Sequence, residues 1–521
     1  MALTQRSGTL VFVLLQAGLA LAAISNGSLW IDEFWTAHFT TIKSAADLYD
    51  LLLIPSGSQT PLHFVYYYFW GFVFPSGELS LRLANLPLFV MGQTSLFWAA
   101  RGQSASFRYF LLAVSALHPL VWQYANEARP YIMMYAGSQM IMAYIFNMVS
   151  MDPNRREIDP LFSTILVAGS ILLFGASLLG AFWVISSFMY IAYFHVRYLD
   201  WRYLLRGVTL LLSCILLVAT TLLAFYYLNS LLKGAGASRL ASTTVISVLF
   251  AGYELLGLSG VGPGRLELRN SGLASLGPYW AVLIPACLVL LVTLSRGVIE
   301  AMALRGRREV FVLGVVGLVP VAIVISSGFA MHWRVLGRHL IAALPVLNIV
   351  FALGLAKLLG TGSRRRPAVW AVVGIACMAT LIYSSFSIRF SDRHKKDDYR
   401  TAAAIALEET LQGGRVWWAA DYVGANYYRL PGEFDFMGEI TEMHKPPECR
   451  DLPGVQAVSN ASEGCLRLLS RPSLIILSKP ESFDRSGGIA AYLQSKHFAK
   501  VRDLQAFTVW RPAAAAAATQ R

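Results

Sequence analysis

Apolar runs long enough to cross a membrane recur along most of this chain. A spanning helix needs roughly 20 mostly apolar residues, because its backbone groups must be hydrogen-bonded internally inside the hydrocarbon core. Eleven runs approach this length and predict about eleven transmembrane helices. They cover residues 8–25, 79–100, 108–124, 131–150, 161–179, 181–196, 204–224, 277–295, 309–327, 340–360 and 368–386.

Two polar stretches between these runs are too long to be simple connections. The first, residues 26–78, predicts short helices at 32–42 and 44–54 and an interfacial helix at 59–75, where Tyr and Trp side chains suit the headgroup region. The second is a long loop at 225–276. Glycine and proline at 261–272 predict a turn-rich backbone that could approach a ligand closely.

The pattern changes after residue 386. Residues 398–414 predict an amphipathic helix and residues 487–496 predict a second helix, while short apolar runs at 415–420, 473–478 and 506–510 predict strands. This alternation indicates a small α/β domain. We therefore expect a membrane module at 1–386 that includes both long loops, an α/β domain at 387–512 and a disordered tail at 513–521.

Composition agrees with a multi-pass membrane protein: 56% of the 521 residues are hydrophobic, 14% are charged and the mean hydropathy is +0.53. The net charge of +13 could indicate nucleic-acid binding, but the arginines concentrate in alternate short loops, which is the positive-inside pattern. This places the N-terminus in the cytoplasm and the α/β domain outside. The loops hold Arg101 and Arg108, Arg155 and Arg156, Arg197, Arg202 and Arg206, residues 296–308, and Arg364 to Arg366.

Residues 1–25 also resemble a signal peptide, with small residues near position 23. We interpret this run as a retained signal-anchor, because its removal would invert the fit to the arginine pattern. Of the five cysteines, Cys449 and Cys465 share the predicted external domain, where oxidising conditions favour a disulfide. His332 and His444 lack a tight cluster of other ligands, so no structural zinc site is expected.

Ionisable residues are nearly absent from the interiors of the predicted spans. Ion-coupled transporters usually place such groups near the midplane, so this pattern weakens a transporter interpretation. Charges collect instead on the predicted outer face, which favours a reaction site at that interface. They are Asp32, Glu33, Arg82, Glu127, Arg129, Arg239, Arg265, Arg269, Arg334 and Arg338.

Three short motifs on this face occur in a recognisable order: WIDEFW (30–35), then TPLHFVYYYFWGF (60–72) with LRLANLP (81–87), then NEARPY (126–131). Together they resemble the GT-C glycosyltransferases, specifically bacterial relatives of protein O-mannosyltransferases and of the lipid A aminoarabinose transferase. The stretch SLLGAFWV (177–184) departs from these relatives, which often carry a histidine or tyrosine there. This departure bears on the sugar or acceptor more than on the reaction class.

The resemblance implies a GT-C fold and a polyprenyl-phosphate sugar as donor, used at the periplasmic face of a bacterial inner membrane. The acceptor would be a lipid, a saccharide such as lipopolysaccharide, or a protein. Asp32 would be the base of an inverting transfer, Glu33 would support it, and Glu127 would hold the acceptor or raise the pKa of the base. The resemblance does not fix a cofactor, and a divalent cation at Asp32 or Glu127 stays open because some relatives carry one.

The leaving phosphate requires cations, for which arginine is well suited because its planar fork can bind two phosphate oxygens. Arg265, Arg269 and Arg338 are the candidates, with His339 and Arg129 behind them. Other interpretations remain open. Asp32 could be a helix N-cap, Glu127 and Arg129 could form an interfacial ion pair, and Arg338 could be a topological anchor. The chain could also be a polymerase or ligase using a lipid-linked oligosaccharide, or a lipid-linked glycan or lipid transporter (a flippase).

Overall fold

The computed structural model describes residues 2–53, 60–149, 160–198, 207–232, 242–304, 307–360, 368–432 and 449–515. Several sequence expectations lie outside these residues: the basic loops at 155–156, 202–206 and 364–366, Arg239, His444 and the tail from residue 516. The chain divides into two compact units. We call Met1–Ser25, Ile42–Val73 and Ser80–His394 the membrane unit. Asn26–Thr41, Phe74–Leu79 and Lys395–Arg521 form the C-terminal unit.

Helices account for nearly all of the described membrane unit. Among the described residues, five helical stretches are long and apolar enough by themselves to cross a membrane. They are Tyr131–Val149, Val208–Leu232, Arg265–Ala303, Gly337–Leu359 and Ala368–Phe390. Shorter apolar helices occupy other predicted spans. The helices are α1 (Ala2–Ala23), α3 (Ala45–Leu52), α4 (Pro61–Val73), α5 (Glu78–Leu83, which crosses the unit boundary), α6 (Asn85–Ala99), α7 (Ala105–Leu117), α8 (Pro119–Ala125), α9 (Tyr131–Val149), α10 (Pro160–Ala176), α11 (Gly180–Tyr198), α12 (Gly207–Leu232), α13 (Val245–Leu255), α14 (Arg265–Ser271), α15 (Trp280–Leu304), α16 (Arg307–Ala330), α17 (Leu344–Leu359) and α18 (Ala368–Phe390).

Two predicted spans are each two helices. The run 79–100 is interrupted at Ala84, and the run 108–124 at His118, where Pro119 starts a new helix and the ring Nδ1 of His118 accepts from the Leu120 N–H at 3.2 Å. Proline is favoured at the first position of a helix but not in its interior, so the chain breaks there. The apolar pattern alone did not indicate either break.

The long loop predicted at 225–276 is largely helical. Helix α12 continues to Leu232, and the stretch expected to be turn-rich contains α14. This helix forms because the Glu267 side chain accepts from the Gly264 N–H at 2.8 Å, which pairs a donor that a helix start leaves unsatisfied. Pro263 and Gly264 precede the helix rather than disrupt it.

A polar network fixes the NEARPY turn between α8 and α9. The Asn85 amide donates to the backbone oxygens of Glu127 at 2.7 Å and Ala125 at 3.1 Å, and the Ser25 N–H donates to the Asn126 side chain at 2.7 Å. Because these hydrogen bonds hold the turn from two sides, the side chains of the residues in the turn have defined directions.

The C-terminal unit is a five-stranded sheet with helices. Strand order is β2-β1-β3-β5-β4, with β1 parallel to β2 and β3, and β5 antiparallel to β3 and β4. Trp417, Ile475 and Leu493 lie in its core. The elements are α2 (Ile31–Thr41), α19 (Tyr399–Leu411), β1 (Val416–Ala419), α20 (Tyr422–Tyr427), β2 (Val455–Ala457), α21 (Glu463–Leu468), β3 (Leu474–Ser478), α22 (Pro480–Phe483), α23 (Gly488–Ser495), β4 (Phe498–Leu504) and β5 (Phe507–Pro512).

The predicted disulfide is present: Cys449 is bonded to Cys465. The three predicted strands are found, whereas β2 and β4 were not anticipated. Strand β2 has only three residues, and β4 (FAKVRDL) is an edge strand whose polar residues obscure its alternation. Residues 26–41, for which the sequence pattern predicts a place in the membrane module, belong to the C-terminal unit.

Candidate functional site

Five charged side chains from separate segments of the membrane unit come together, and we call them the arginine cluster. Glu127 and Arg129 lie on the NEARPY turn, Glu254 is in the last turn of α13, Arg265 begins α14, and Arg338 is in the 3₁₀ turn Gly337–Ala343. The sequence placed four of these among the candidates. Glu254 was missed.

Arg265 makes the central contacts of the arginine cluster. Its Nη1 lies 3.5 Å from Oε1 of Glu127, and its Nη2 lies 3.9 Å from Oε1 of Glu254 and donates to the Tyr124 hydroxyl at 2.8 Å. The two carboxylate distances exceed a hydrogen bond, so the acids attract the guanidinium mainly by charge. The side chain is 47% exposed, whereas both acids are buried.

Glu254 is hydrogen-bonded to the segment that carries Arg338. Its Oε2 accepts from the Gly337 N–H at 2.9 Å, and the residue is 3% exposed. Burial raises the pKa of this carboxyl, while Arg265, the Gly337 N–H and Arg338 oppose the rise. The sequence signal for Glu254 was its position as the single acid in the otherwise apolar run VISVLFAGYELLG. An unpaired charge in such surroundings would be energetically unfavourable.

Two arginines flank one aromatic ring. The guanidinium carbons of Arg129 and Arg338 lie 6.0 and 5.7 Å from the centroid of the Tyr131 ring, which contacts the Tyr124 ring at 4.6 Å. Cation–π attraction of this kind holds the cations near one another despite their repulsion. Three arginines and two glutamates give these five residues a net charge of +1.

Two histidines adjoin the cluster. Burial lowers the pKa of His63 well below its usual value, and the charge of Arg129 lowers it further. His339 accepts from the Leu336 N–H through Nδ1 at 3.1 Å, so its ring proton is on Nε2. Both rings therefore offer neutral hydrogen-bonding groups, and the positive charge comes from the arginines. Arg269, one turn after Arg265, is exposed.

Asp32 and Glu33 lie in the first turn of α2, in the C-terminal unit. Asp32 is the second residue of the helix and is half-buried, so it lies within the first turn rather than before the helix start at Ile31. Glu33 is fully buried, its Oε2 lies 3.2 Å from Lys396 Nζ, and it accepts from the Trp30 N–H at 3.4 Å. The neighbouring acids thus have different surroundings, as helical spacing predicts.

Other charged residues of the C-terminal unit, among them Asp421, interact electrostatically with Asp32. Asp421 caps α20, accepting from the Gly424 N–H at 3.1 Å, and Lys479 forms an ion pair with Asp397. Loss of hydration raises the pKa of Asp421 to about 7, an effect that the negative charge of Asp32 adds to and Lys479 opposes.

The described residues include no group of three or more His, Cys, Asp or Glu that could hold a metal ion. Within the arginine cluster, Arg265 lies near both Glu127 and Glu254. A cation there would be repelled by the guanidinium, so these residues do not fit a divalent metal.

The sequence matches no protein-family model and no curated protein sequence. The fold is nevertheless similar to solved structures. ArnT from Cupriavidus metallidurans in the apo state matches with a TM-score of 0.54 and 13% identity, over 98% of this chain and 99% of that chain. ArnT bound to undecaprenyl phosphate matches with a TM-score of 0.52 and 14% identity, over the same shares.

The arabinofuranosyltransferase AftD from mycobacteria gives a TM-score of 0.49 at 11% identity, over 97% of this chain and 41% of that chain. This value is too low to add to the comparison. The ArnT matches extend over both units of the present chain. The chain therefore has the GT-C fold of ArnT, a helical membrane protein with a small C-terminal sheet.

Proposed function

We propose that this protein is a membrane glycosyltransferase that moves a sugar from a polyprenyl phosphate to an acceptor hydroxyl or amine. ArnT, whose fold the chain shares over nearly its full length, has been solved bound to undecaprenyl phosphate. A shared fold does not fix a reaction, so the proposal depends on the site.

The arginine cluster is the observation that carries the proposal. A polyprenyl phosphate leaves as an anion, and Arg265 offers an exposed guanidinium near Arg338 and Arg129. Buried Glu127 and Glu254 keep Arg265 in place before any ligand arrives. A pre-oriented cation stabilises charge that develops on the leaving group without reorganisation during the reaction.

The transfer would be a single displacement at the anomeric carbon. The acceptor oxygen or nitrogen forms a bond to that carbon, the bond from carbon to the phosphate oxygen breaks, and the phosphate keeps the electron pair. Asp32 takes the acceptor's proton as general base. One displacement inverts the anomeric configuration. The positive-inside pattern supports a periplasmic site in a bacterial inner membrane.

Turnover by the purified full-length protein in nanodiscs tests this function. A panel of polyprenyl-phosphate sugars would be supplied with a membrane extract as the source of acceptors, and release of polyprenyl phosphate would be followed. We expect release by the wild type and a loss on the order of 100-fold or more in Asp32→Asn, since general-base catalysis contributes about that much. Asp50→Asn, at an exposed position of α3, is the matched control.

The outcomes separate the competing functions. Equal turnover by wild type and Asp32→Asn would show that Asp32 is not the base. Movement of labelled lipid across the bilayer without any glycosyl product would support a transporter instead. The product formed with the active donor would identify both the sugar and the acceptor.

A further inference from the structure

The first turn of helix α2 is bound by a buried ion pair to the part of the C-terminal unit that follows residue 395. Lys396 Nζ lies 3.2 Å from Glu33 Oε2, and Glu33 is 0% exposed while the lysine side chain is 19% exposed. A carboxylate removed from water in this way requires a partner, since burial of an isolated charge is strongly unfavourable. Lys396 supplies an opposite charge here, although 363 positions separate the two residues in sequence.

Aromatic packing fixes the rotation of the same helix. The Phe34 ring lies 5.1 Å from the ring of Tyr399 and 5.4 Å from that of Tyr427. Helix α20 approaches so closely that a Cβ at Gly424 would lie 2.8 Å from both the Phe34 and Tyr399 rings. With Phe34 seated here and Glu33 held by Lys396, α2 has one permitted orientation.

The residues before α2 also form hydrogen bonds with the part of the C-terminal unit that follows residue 395. The Leu29 N–H donates to the Tyr428 hydroxyl at 3.3 Å, and the Arg400 N–H donates to the Ser28 hydroxyl at 3.1 Å. Arg400 also donates to the Asn26 backbone oxygen at 3.0 Å. The entry to α2, its first turn and its packed face are therefore each bound to residues after 395.

We propose that Lys396 is a positioning residue for Asp32 and acts through Glu33. This inference rests on the proposed function, in which Asp32 is the base. Adjacent helical residues point about 100° apart, so fixing Glu33 toward Lys396 sets the direction in which Asp32 projects. Glu33 then serves as an anchor and takes no part in the chemistry, and the C-terminal unit is needed for turnover because it aligns the base.

A double-mutant cycle distinguishes an anchor from a catalytic group. Lys396→Met removes the ammonium that neutralises the buried Glu33 carboxylate at 3.2 Å, so we expect kcat to fall about 30-fold or more. Glu33→Gln keeps the acceptor for the Trp30 N–H and leaves only a partly exposed ammonium, so a loss of about threefold is expected. The double variant should resemble Glu33→Gln, because residue 33 then carries no charge that Lys396 could neutralise.

The experiment combines this cycle with two further readouts on the full-length protein in nanodiscs. Undecaprenyl phosphate affinity should stay within about twofold in all three variants, because the arginine cluster is unaltered. Hydrogen exchange of residues 26–41 should increase in Lys396→Met and return toward the wild-type level in the double variant. Lys395→Met, the same change at the preceding exposed position, is the control for both.

Each outcome has a defined meaning. Recovery of kcat and of hydrogen-exchange protection in the double variant supports the inference. Abolished turnover in Glu33→Gln without recovery in the double variant would overturn it, since Glu33 would then be catalytic. Unchanged exchange in Lys396→Met would also overturn it. A wild type that turns over no donor, with the exchange pattern as expected, would overturn the proposed function while supporting the anchoring of α2.

Discussion

The backbone N–H of Gly337 donates to Oε2 of Glu254 at 2.9 Å, and the space between them admits no side chain. A Cβ at position 337 would lie 2.5 Å from Oε2 and 2.8 Å from Cβ of Glu254. The acid therefore reaches the segment that carries Arg338 only because residue 337 is glycine. This contact connects two elements of the arginine cluster that are far apart in sequence.

Gly337→Ala should consequently disturb both elements. Glu254 is buried and cannot withdraw without losing its hydrogen bond, so we expect a destabilisation of about 1–3 kcal/mol. Undecaprenyl phosphate affinity should fall about tenfold or more as Arg265 and Arg338 shift, which isothermal titration in nanodiscs would measure. Gly252→Ala, on the helix of Glu254 but with open space around its Cβ, should be neutral or slightly stabilising. Equal effects of the two changes would contradict this account.

Arg265 is the cation that we expect to contribute most to donor binding. Arg265→Ala removes charge-assisted hydrogen bonds to a phosphate, each worth about 1.5–3 kcal/mol, so the Kd for undecaprenyl phosphate should rise at least about tenfold. Arg265→Lys should recover part of this loss because it restores the charge but not the planar fork. Arg334→Ala, at an exposed position, is the control. An unchanged Kd in Arg265→Ala would exclude the arginine cluster as the phosphate site.

Much of the membrane unit could be predicted because one strong signal determines it. Apolar runs located α9, α10, α11 and α18 within a few residues. The same signal does not report interruptions, since a run that bends at Ala84 or His118 is as apolar as a straight one. Helix α14 was missed because Pro263 and Gly264 were interpreted as turn residues, whereas they precede a helix that Glu267 caps.

The site was predictable only where a residue stood out locally. Arg265 and Arg338 were identified as cations on the outer face. Glu254 and Lys396 could not be identified in this way, because their importance comes from partners in other segments. Lys396 in particular lies in the run RHKKDD, where a lysine next to other charges gives no sign of a buried partner. Such pairings depend on tertiary structure, which a single sequence does not specify.

Asp421 should make stability depend on pH in a direction opposite to that of most carboxylates. Its pKa is raised to about 7 in the folded protein, compared with about 3.9 in an unfolded chain. The folded state therefore binds the proton more tightly, and the contribution of Asp421 to the free energy of unfolding is greatest below pH about 4 and decreases as the pH rises to about 7. The apparent Tm of the C-terminal unit, measured across this range, reports the effect.

Asp421→Asn isolates this contribution, because asparagine still caps α20 through its amide oxygen but does not titrate. The variant should lose the decrease in Tm between pH about 4 and 7. Asp398→Asn, which caps α19 through the Thr401 N–H at 3.2 Å, should keep it. In Asp32→Asn the decrease should be smaller and should end at a lower pH, because removal of a neighbouring negative charge lowers the folded-state pKa of Asp421 toward its value in the unfolded chain. Identical pH profiles for wild type and Asp421→Asn would contradict the assignment.

The Cys449–Cys465 disulfide should stabilise the C-terminal unit. It joins positions separated by 16 residues, and closing a loop of that size lowers the entropy of the unfolded chain by an amount worth about 3 kcal/mol. Cys465 packs in the core of the sheet with Trp417 and Ile475, so its release also loosens that core. Replacing both cysteines by serine should lower the Tm of this unit, and reductant should lower the wild-type Tm to a similar value without affecting the variant. Cys214→Ser, at an exposed position, should respond to reductant as the wild type does. A wild-type Tm that is insensitive to full reduction would refute the stabilising role.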